Sequence, residues 1–391
     1  MKKGIAEVPG IACGTGFGGI KRTEKKVDRP DTLVVVTDEP SNFAAVFTTN
    51  DIQAAPVKFS KSLKGKINGI VANSGNANAC TGEQGLKDAE EMARIVSKLT
   101  GKEKPFLVAS TGVIGEPLPM DRVKKGIEEA VKNLGKAKGE EPARAIMTTD
   151  TFPKTAFREG NGFVIGGIAK GAGMIDPSMA TMLSFVATDA KVSSEMLQRA
   201  LKEAVDVSFN AITVDGDMST NDCVFILSTG KSEKIIDDSN YEEFKEVLTA
   251  VLKELAYQIV KDGEGATKVA RIVVKGAKTT KQARAIARKI ALSPLVKTAI
   301  FGCDPNWGRI IAAAGAASTG IEEEKVELYI GNYLLFKGKR TDFIEEEVFK
   351  YLKENDEIVI KLYLNLGNHS FEYLTCDLTY DYVKINAEYR T

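Results

Sequence analysis

The stretch GAGMIDPSMATML (171–183) places a threonine, Thr181, at the start of an apolar run, behind two glycines and a proline. A threonine hydroxyl is a weak nucleophile until a base accepts its proton. If the bond Ala180–Thr181 were cleaved, Thr181 would carry both a hydroxyl and a free α-amine. Such an amine has an unperturbed pKa of about 7.7–8.0, which suits a general base at neutral pH. The stretch is consistent with a self-processing threonine enzyme, although a turn leading into a core strand explains most Ala-Thr pairs in proteins.

The chain contains a single histidine, His369. A catalytic triad of the serine–histidine–aspartate kind would have to use this residue. The surrounding NLGNHS (365–370) is typical of a hairpin turn between two alternating strands. A nucleophile in this protein is therefore expected to use another base, of which its own α-amine is one option.

Two other motifs do not support a cofactor or a metal ion. GTGFGG (14–19) matches a dinucleotide fingerprint, but no strong strand precedes it and charged residues follow it. DGDMSTND (215–222) begins like a calcium loop, yet Thr220 stands where glycine is needed and Ile226 where glutamate is needed. We predict neither a metal site nor a bound cofactor.

The cysteines are scattered along the chain and form no CxxC pair: Cys13, Cys80, Cys223, Cys303 and Cys376. This pattern argues against both a disulfide framework and a zinc site. Lysine plus arginine and aspartate plus glutamate number 53 each, which gives no reason to expect a nucleic acid or an anionic membrane as partner. No apolar run is long enough to span a bilayer, and no apolar segment follows the basic start of the chain. These features predict a cytoplasmic protein.

The elements that must position Thr181 are mixed helices and strands. Apolar runs predict strands at 32–39, 67–75, 105–112 and 162–171. Helical periodicity appears at 86–99, 121–135, 193–205, 239–263 and 279–294, with a capping box at Ser239 and Glu242. Alternation over 356–386 predicts an antiparallel sheet about a turn. The fold class is therefore α/β or α+β, with a soft domain boundary near 280 and an α+β domain over 280–391.

The segment KGAGMIDPSMATMLSFVATDA (170–190) resembles the self-cleavage segment of the ornithine acetyltransferase family, also called the glutamate N-acetyltransferase family. Further stretches are similar to the same family, in order along essentially the whole chain: VANSGNANACTG (71–82), ASTGVIG (109–115), MTTDTFPK (147–154), VDGDMSTNDCV (214–224), KDGEGATK (261–268), GCDPNWGRI (302–310) and INAEYRT (385–391).

The resemblance implies cleavage before Thr181 into an α chain (1–180) and a β chain (181–391), two copies of each forming an α2β2 assembly. It implies that Thr181 takes the acetyl group of N2-acetyl-L-ornithine and passes it to L-glutamate, a ping-pong acyl transfer of arginine biosynthesis. It also implies an α/β sandwich in which the catalytic threonine opens a central strand, with smaller C-terminal α+β domains.

The family pattern also supplies site residues. Thr111, through its hydroxyl, and Gly112, through its backbone N–H, would stabilise the oxyanion. Substrate contacts fall on Thr151, Lys170, Thr181, Glu264, Asn386 and Thr391. A lysine can hold an α-carboxylate, and Glu264 could meet the side-chain amine of ornithine. Asn306, Trp307 and Arg309 receive no role.

Three alternatives stay open at this point. Some family members also use acetyl-CoA to acetylate glutamate, and the sequence does not separate these from members that only recycle acetyl groups. A self-cleaving aminopeptidase or amidase of similar architecture would share the cut but transfer to water. A binding protein that is never cleaved is the third.

Overall fold

The computed structural model describes residues 2–20, 29–176 and 182–388, and these fall into two compact units. Of the described residues, the first contains those up to Asn210 together with Asp217–Ile259; the second contains Ala211–Gly216 and those from Val260 to Glu388. The second unit thus begins earlier than the boundary expected near 280, because a strand at Val269–Ala277 lies inside its sheet.

The described strands are β1 (Ile11–Gly16), β2 (Thr32–Phe47), β3 (Ile67–Asn76), β4 (Phe106–Val113), β5 (Lys154–Gly160), β6 (Phe163–Lys170), β7 (Leu183–Thr188), β8 (Cys223–Ser228), β9 (Val269–Ala277), β10 (Glu327–Ile330), β11 (Tyr333–Lys337), β12 (Glu357–Tyr363) and β13 (His369–Cys376). The described α-helices are α1 (Ala55–Ser62), α2 (Gly82–Thr100), α3 (Met120–Lys132), α4 (Glu141–Ile146), α5 (Ser194–Asp206), α6 (Tyr241–Lys261), α7 (Thr280–Ala291), α8 (Pro294–Phe301), α9 (Trp307–Gly315), α10 (Glu345–Glu354) and α11 (Tyr380–Glu388). None of these helices combines the length and the apolar character needed to cross a bilayer.

The sheet of the first unit has the strand order β4-β3-β2-β8-β7-β6-β5, with β1 paired to β2. β7 is an interior strand: it pairs antiparallel with β6 and parallel with β8. Every residue of β7 is buried. The strand that follows the threonine at position 181 is therefore central, as the resemblance implies.

The long strand β2 joins two halves of this sheet. Its first part pairs with β3 through Thr32–Val36, and its last part pairs with β8 through Asn42–Phe47. Leu33 belongs to a core that also contains Phe185 and Phe225 from the other half, so the two halves pack face to face. Strand alternation sends neighbouring residues of β2 to the opposite face, where they pack against α2 and α3.

A second helical layer covers the other half of the sheet. Phe163 of β6 and Phe244 of α6 have ring centroids 5.6 Å apart, and Gln258 of α6 exchanges hydrogen bonds with the backbone of Thr155 in β5. With α2 and α3 on the far side, the first unit is a layered α/β sandwich, which confirms the expected fold class.

The second unit is an α+β structure with the strand order β11-β10-β12-β9-β13. The antiparallel sheet predicted over 356–386 is confirmed in part: β12 and β13 run in opposite directions in one sheet on either side of a turn. They do not pair with each other, because β9 lies between them, parallel to β12 and antiparallel to β13. Residues 380–388 form a helix instead of a strand. Alternation identifies a half-buried strand but does not specify its partner. His369 accordingly opens β13, is exposed, and lies with Nδ1 3.1 Å from Thr280 Oγ1.

The periodic helices agree with prediction to within a few residues at their ends. Ser193 and Thr279 cap α5 and α7, each hydroxyl accepting a backbone N–H of the first turn. The capping box at Ser239 is wrong: the Ser239 hydroxyl donates to the Asp237 carboxylate, and the helix begins at Tyr241. The preceding carboxylate is a stronger acceptor and draws the serine away from the helix end.

Candidate active site

The carboxyl end of β4 carries Thr111 and Gly112. Pairing between β3 and β4 becomes irregular at Asn76, and Gly112 has a φ of 131°. A Cβ atom at position 112 would lie 2.3 Å from the carbonyl carbon of Gly75. The backbone here therefore requires glycine, and Thr111 stands directly before this tight crossing.

Lys170, the last residue of β6, reaches Thr111. Its side chain is buried (4% exposed), and Nζ donates a hydrogen bond to Thr111 Oγ1 at 3.2 Å. β4 and β6 are far apart in the strand order, but the stacking of the two sheet halves brings their carboxyl ends together. Two residues that the resemblance assigned separately thus form one contact.

A buried ion pair supports this contact. Lys154 Nζ lies 2.7 Å from Asp150 Oδ1, and both side chains are inaccessible to solvent. Asp150 also accepts the N–H groups of Gly171 (2.7 Å) and Thr148 (2.9 Å). Burial by itself raises the pKa of Asp150, but the Lys154 and Lys170 cations and these hydrogen bonds outweigh it, so that the pKa falls to about 2.

The predicted substrate residue Thr151 follows Asp150 directly, and its side chain is exposed. The ion pair and the bond from Gly171 fix the backbone on which Thr151 sits. Thr151 is thus an exposed residue directly beside a buried anion, a position that suits contact with a small polar ligand.

Asn221 holds two loops of the site together, and sequence reasoning missed it. Its side-chain amide donates to the carbonyl oxygens of Ala77 (2.6 Å) and Ser110 (2.9 Å). Ser110 in turn donates from its hydroxyl to Asn73 Oδ1 at 2.6 Å. The signal in the sequence is a polar run, STND (219–222), placed directly before the buried strand β8.

Asp222 is a second residue that was missed. It is 1% exposed and accepts the Met182 N–H on Oδ1 at 2.7 Å. Burial raises the pKa of this carboxyl well above its usual value, and the Lys170 cation lowers it only in part. Ala180 and Thr181, the proposed cleavage site, lie outside the described residues, so the structure places the residue after the nucleophile but not the nucleophile itself.

The second unit brings together Glu264 and Asn386. Asn386 Nδ2 donates to Glu264 Oε2 at 2.8 Å, although 122 residues separate them in the chain. Gly265, which follows Glu264, has a φ of 68°, and a Cβ there would lie 2.6 Å from the backbone nitrogen of Tyr382. Thr379 Oγ1 donates to the Gly265 carbonyl at 2.7 Å. These contacts hold the loop that contains Glu264 and Gly265 against the start of α11.

Asp377 also stabilises this loop, through hydrogen bonds to the residues that follow Gly265. Its Oδ1 accepts the N–H groups of Thr267 (2.8 Å) and Lys268 (3.1 Å). Thr391, the remaining predicted substrate residue, lies outside the described residues. Within the described ranges, no three His, Cys, Asp or Glu side chains cluster in a way that could hold a metal ion.

The loop with Asn306, Trp307 and Arg309 makes contacts within the second unit. Asn306 caps α9 by accepting the Arg309 N–H at 3.3 Å, and Trp307 stacks on Phe336 with centroids 5.5 Å apart. The Arg309 guanidinium donates to the Leu295 carbonyl at 2.9 Å. These contacts stabilise the loop between α8 and α9.

Comparison with known proteins gives consistent matches over nearly the full length. The profile of the ArgJ family matches residues 13–391. The arginine biosynthesis bifunctional protein ArgJ of Dehalococcoides mccartyi is 49% identical over 398 residues, covering 99% of this chain and 97% of that protein. The protein of the same name from Geobacter sulfurreducens is 46% identical over 389 residues, covering 97% and 99%. A crystal structure of arginine biosynthesis bifunctional protein ArgJ from Bacillus halodurans is 44% identical with a TM-score of 0.52, covering 54% of this chain and 100% of that chain.

Proposed function

The chain belongs to the ArgJ family, and on that basis we propose that it transfers the acetyl group of N2-acetyl-L-ornithine to L-glutamate in arginine biosynthesis. It is an acyltransferase. Among the observations on this chain, the one that carries the proposal is the buried contact between Lys170 and Thr111 at the end of β4, beside the strand that follows Thr181. The aminopeptidase alternative is not favoured, because relatives with 46–49% identity bear the name of an arginine biosynthesis protein.

Self-cleavage before Thr181 is part of the proposal. The chain of the solved relative is matched in full by 54% of this chain, which is also the share of the sequence that residues 181–391 make up. Processing would give Thr181 a free α-amine that can act as its general base. The single histidine of the chain, His369, is exposed at the start of β13 and is not expected to serve as that base. The sequence GAGMIDPS before the cut supplies small residues where the backbone must approach itself.

In the first half-reaction, Thr181 Oγ attacks the acetyl carbonyl carbon while the α-amine accepts the hydroxyl proton. The C–N bond breaks, the ornithine nitrogen takes that proton, and the acetyl group remains as an ester on Thr181. In the second half-reaction, the α-amine of glutamate attacks the ester and loses a proton as Thr181 Oγ regains one. Each half-reaction passes through a tetrahedral oxyanion.

Thr111 and Gly112 are our candidates for the oxyanion donors. Lys170 donates to Thr111 Oγ1, so the hydroxyl hydrogen of Thr111 is free to point elsewhere, and the oxyanion is a suitable acceptor. The lysine cation also adds positive charge where the oxyanion develops, in a region shielded from water. The same cation could hold a substrate carboxylate, as the resemblance implies.

For substrate recognition we propose Thr151, Lys170, Thr181, Glu264, Asn386 and Thr391. Glu264 carries the charge that the ornithine side-chain amine requires, and the Asn386 amide orients its Oε2. Because the relatives are named bifunctional, we further propose that acetyl-CoA serves as a second acetyl donor to glutamate. No bound cofactor is needed for either reaction. An α2β2 assembly, which the family resemblance implies, and a cytoplasmic location complete the proposal.

The intact mass of freshly purified protein under denaturing conditions tests this function. We expect two species, one ending at Ala180 and one beginning at Thr181, and a single species for Thr181→Ala. Acetyl transfer to glutamate is then measured with acetylornithine or with acetyl-CoA as donor. An uncut chain that transfers no acetyl group from either donor would overturn the proposal.

A further inference from the structure

Asp222 lies at the amino end of β8, beside the first residue described after position 181. β7 and β8 run parallel with Leu183 opposite Cys223, which sets Asp222 next to Met182. The Met182 N–H donates to Asp222 Oδ1 at 2.7 Å, and the Cys223 N–H donates to the Met182 carbonyl oxygen at 3.2 Å. The backbone of Met182 is therefore held on one side by Asp222 and on the other by Cys223.

The second carboxyl oxygen of Asp222 is the unusual feature. Oδ2 is shielded from solvent and has no hydrogen-bond partner among the residues that the structure describes. Buried polar atoms without a partner are rare and call for an explanation. Thr181 directly precedes Met182 in the chain, so its nitrogen is one residue away from the nitrogen whose N–H Asp222 accepts.

The surroundings of Asp222 favour its neutral form. Burial is the largest influence on its pKa and raises it, and the Lys170 cation on β6 opposes that rise only in part. The neighbouring Cys223 thiol is also buried, and its pKa is raised as well. Because Oδ1 already accepts the Met182 N–H, the proton of a neutral carboxyl group belongs on Oδ2.

We propose that Asp222 is the general acid of self-cleavage, delivering its Oδ2 proton to the nitrogen at position 181; this rests on the processing proposed above. Thr181 Oγ attacks the carbonyl carbon of Ala180, a C–O bond forms, and the C–N bond breaks. The leaving nitrogen takes the Asp222 proton, and the resulting carboxylate takes the proton of the Thr181 hydroxyl. Water then hydrolyses the ester, releasing the Ala180 carboxylate and restoring the hydroxyl. An amide nitrogen leaves poorly without such a proton, which is why the step needs an acid.

The test uses the full-length chain made by cell-free translation, with synthesis stopped and the cleaved fraction followed over time by mass. Asp222→Asn keeps an oxygen for the Met182 N–H but has no acidic proton. Asp189→Asn is the matched control, because Asp189 is buried at the other end of β7 and accepts the Val164 N–H at 2.7 Å. We expect Asp189→Asn to be cleaved at the unmodified rate and Asp222→Asn at least about 100-fold more slowly. The uncut Asp222→Asn chain should melt at the same temperature as the uncut Thr181→Ala chain.

The outcomes separate this inference from the function on which it rests. Cleavage of Thr181→Ala before position 181 would remove both. An intact Thr181→Ala chain together with unimpaired cleavage of Asp222→Asn would overturn the role of Asp222 alone. If Asp222→Asn does not fold, the unmodified chain decides the matter: an acid-catalysed step slows as pH rises, whereas a rate that climbs steadily with pH would contradict the proposal.

Discussion

Lys170 and Thr111 are joined by a 3.2 Å hydrogen bond between strands from distant positions in the same sheet. The lysine is buried, and its charge acts on two buried carboxyl groups, Asp150 and Asp222. A buried ammonium group requires compensating charge or good hydrogen bonds. The contact therefore holds the Thr111 hydroxyl next to a buried positive charge.

Thr111→Val should lower the rate constant for acetyl transfer by about 10²–10³, because it removes one of the two proposed oxyanion donors while keeping the shape of the side chain. Thr111→Ser retains the hydroxyl and should retain most of the activity. The measurement is the single-turnover rate of acetylation by acetylornithine on cleaved protein. Equal rates for Val and Ser would show that the hydroxyl does not contact the oxyanion.

Gly112→Ala should destabilise the first unit more than Gly115→Ala. Both glycines have positive φ, at 131° and 86°, and each alanine bears strain of order 1–3 kcal/mol. Only at position 112 does the new Cβ collide with backbone, since no heavy atom lies within 4 Å of a Cβ at 115. Urea unfolding of the two variants compares the costs directly, and a larger loss at Gly115 would contradict this geometry.

Asp150→Asn should cost about 3–5 kcal/mol of folding free energy, because it leaves the Lys154 ammonium buried without its partner. The double change Asp150→Asn with Lys154→Met should recover part of that loss. Denaturant unfolding at pH 7 provides the comparison. Additive losses in the double variant would argue that the pair does not interact as the distance indicates.

The same pair predicts a dependence of stability on pH. The pKa of Asp150 is lowered from its unfolded value of about 3.9 to about 2 in the folded protein. A lowered carboxyl pKa contributes stability above the unfolded pKa, and this contribution is lost as the pH falls through the folded pKa. The unmodified protein should therefore lose stability between about pH 5 and pH 2 more steeply than Asp150→Asn does. Parallel melting curves for the two proteins across this range would contradict the assignment.

Glu264→Gln should raise the KM for acetylornithine by about 10–100-fold, since it would replace the proposed charge-assisted hydrogen bond to the substrate amine with a neutral one. The KM for glutamate in the second half-reaction should change little. Glu322→Gln is the control, because Glu322 is an exposed partner of Lys325 in the same unit. An equal rise for both substrates would indicate a general loss of the loop rather than loss of a specific contact.

The sequence predicts the individual helices and strands of this protein better than it predicts which strands pair with each other. Capped helices such as α5 and α7 are visible in the sequence because both the periodicity and the cap are local. The sequence does not predict the insertion of β9 between β12 and β13, because it depends on a pairing across the chain that alternation does not encode. Ser239 shows the same difficulty on a small scale, since a nearby carboxylate competed for its hydroxyl.

The candidate site divides in a similar way. Thr111, Lys170, Glu264 and Asn386 came from resemblance to a family, and the structure adds that they meet in pairs. Asp222 and Asn221 came from neither source, because a polar residue before a strand looks the same whether it faces water or a buried backbone. Only the packing of the two halves of the sheet distinguishes the two cases.

The strand order affects how a cleaved form of this protein would unfold and refold. Cleavage before Thr181 would leave β7 and β8 on one polypeptide, inserted between β2 and β6 of the other. Backbone hydrogen bonds on both sides, between β2 and β8 and between β6 and β7, would join the two polypeptides. Neither could dissociate without breaking the sheet. Once melted, they would have to find each other by diffusion, and recovery would depend on protein concentration. A precursor would fold as one chain, whereas the persistence of the cleaved protein would depend mainly on slow unfolding.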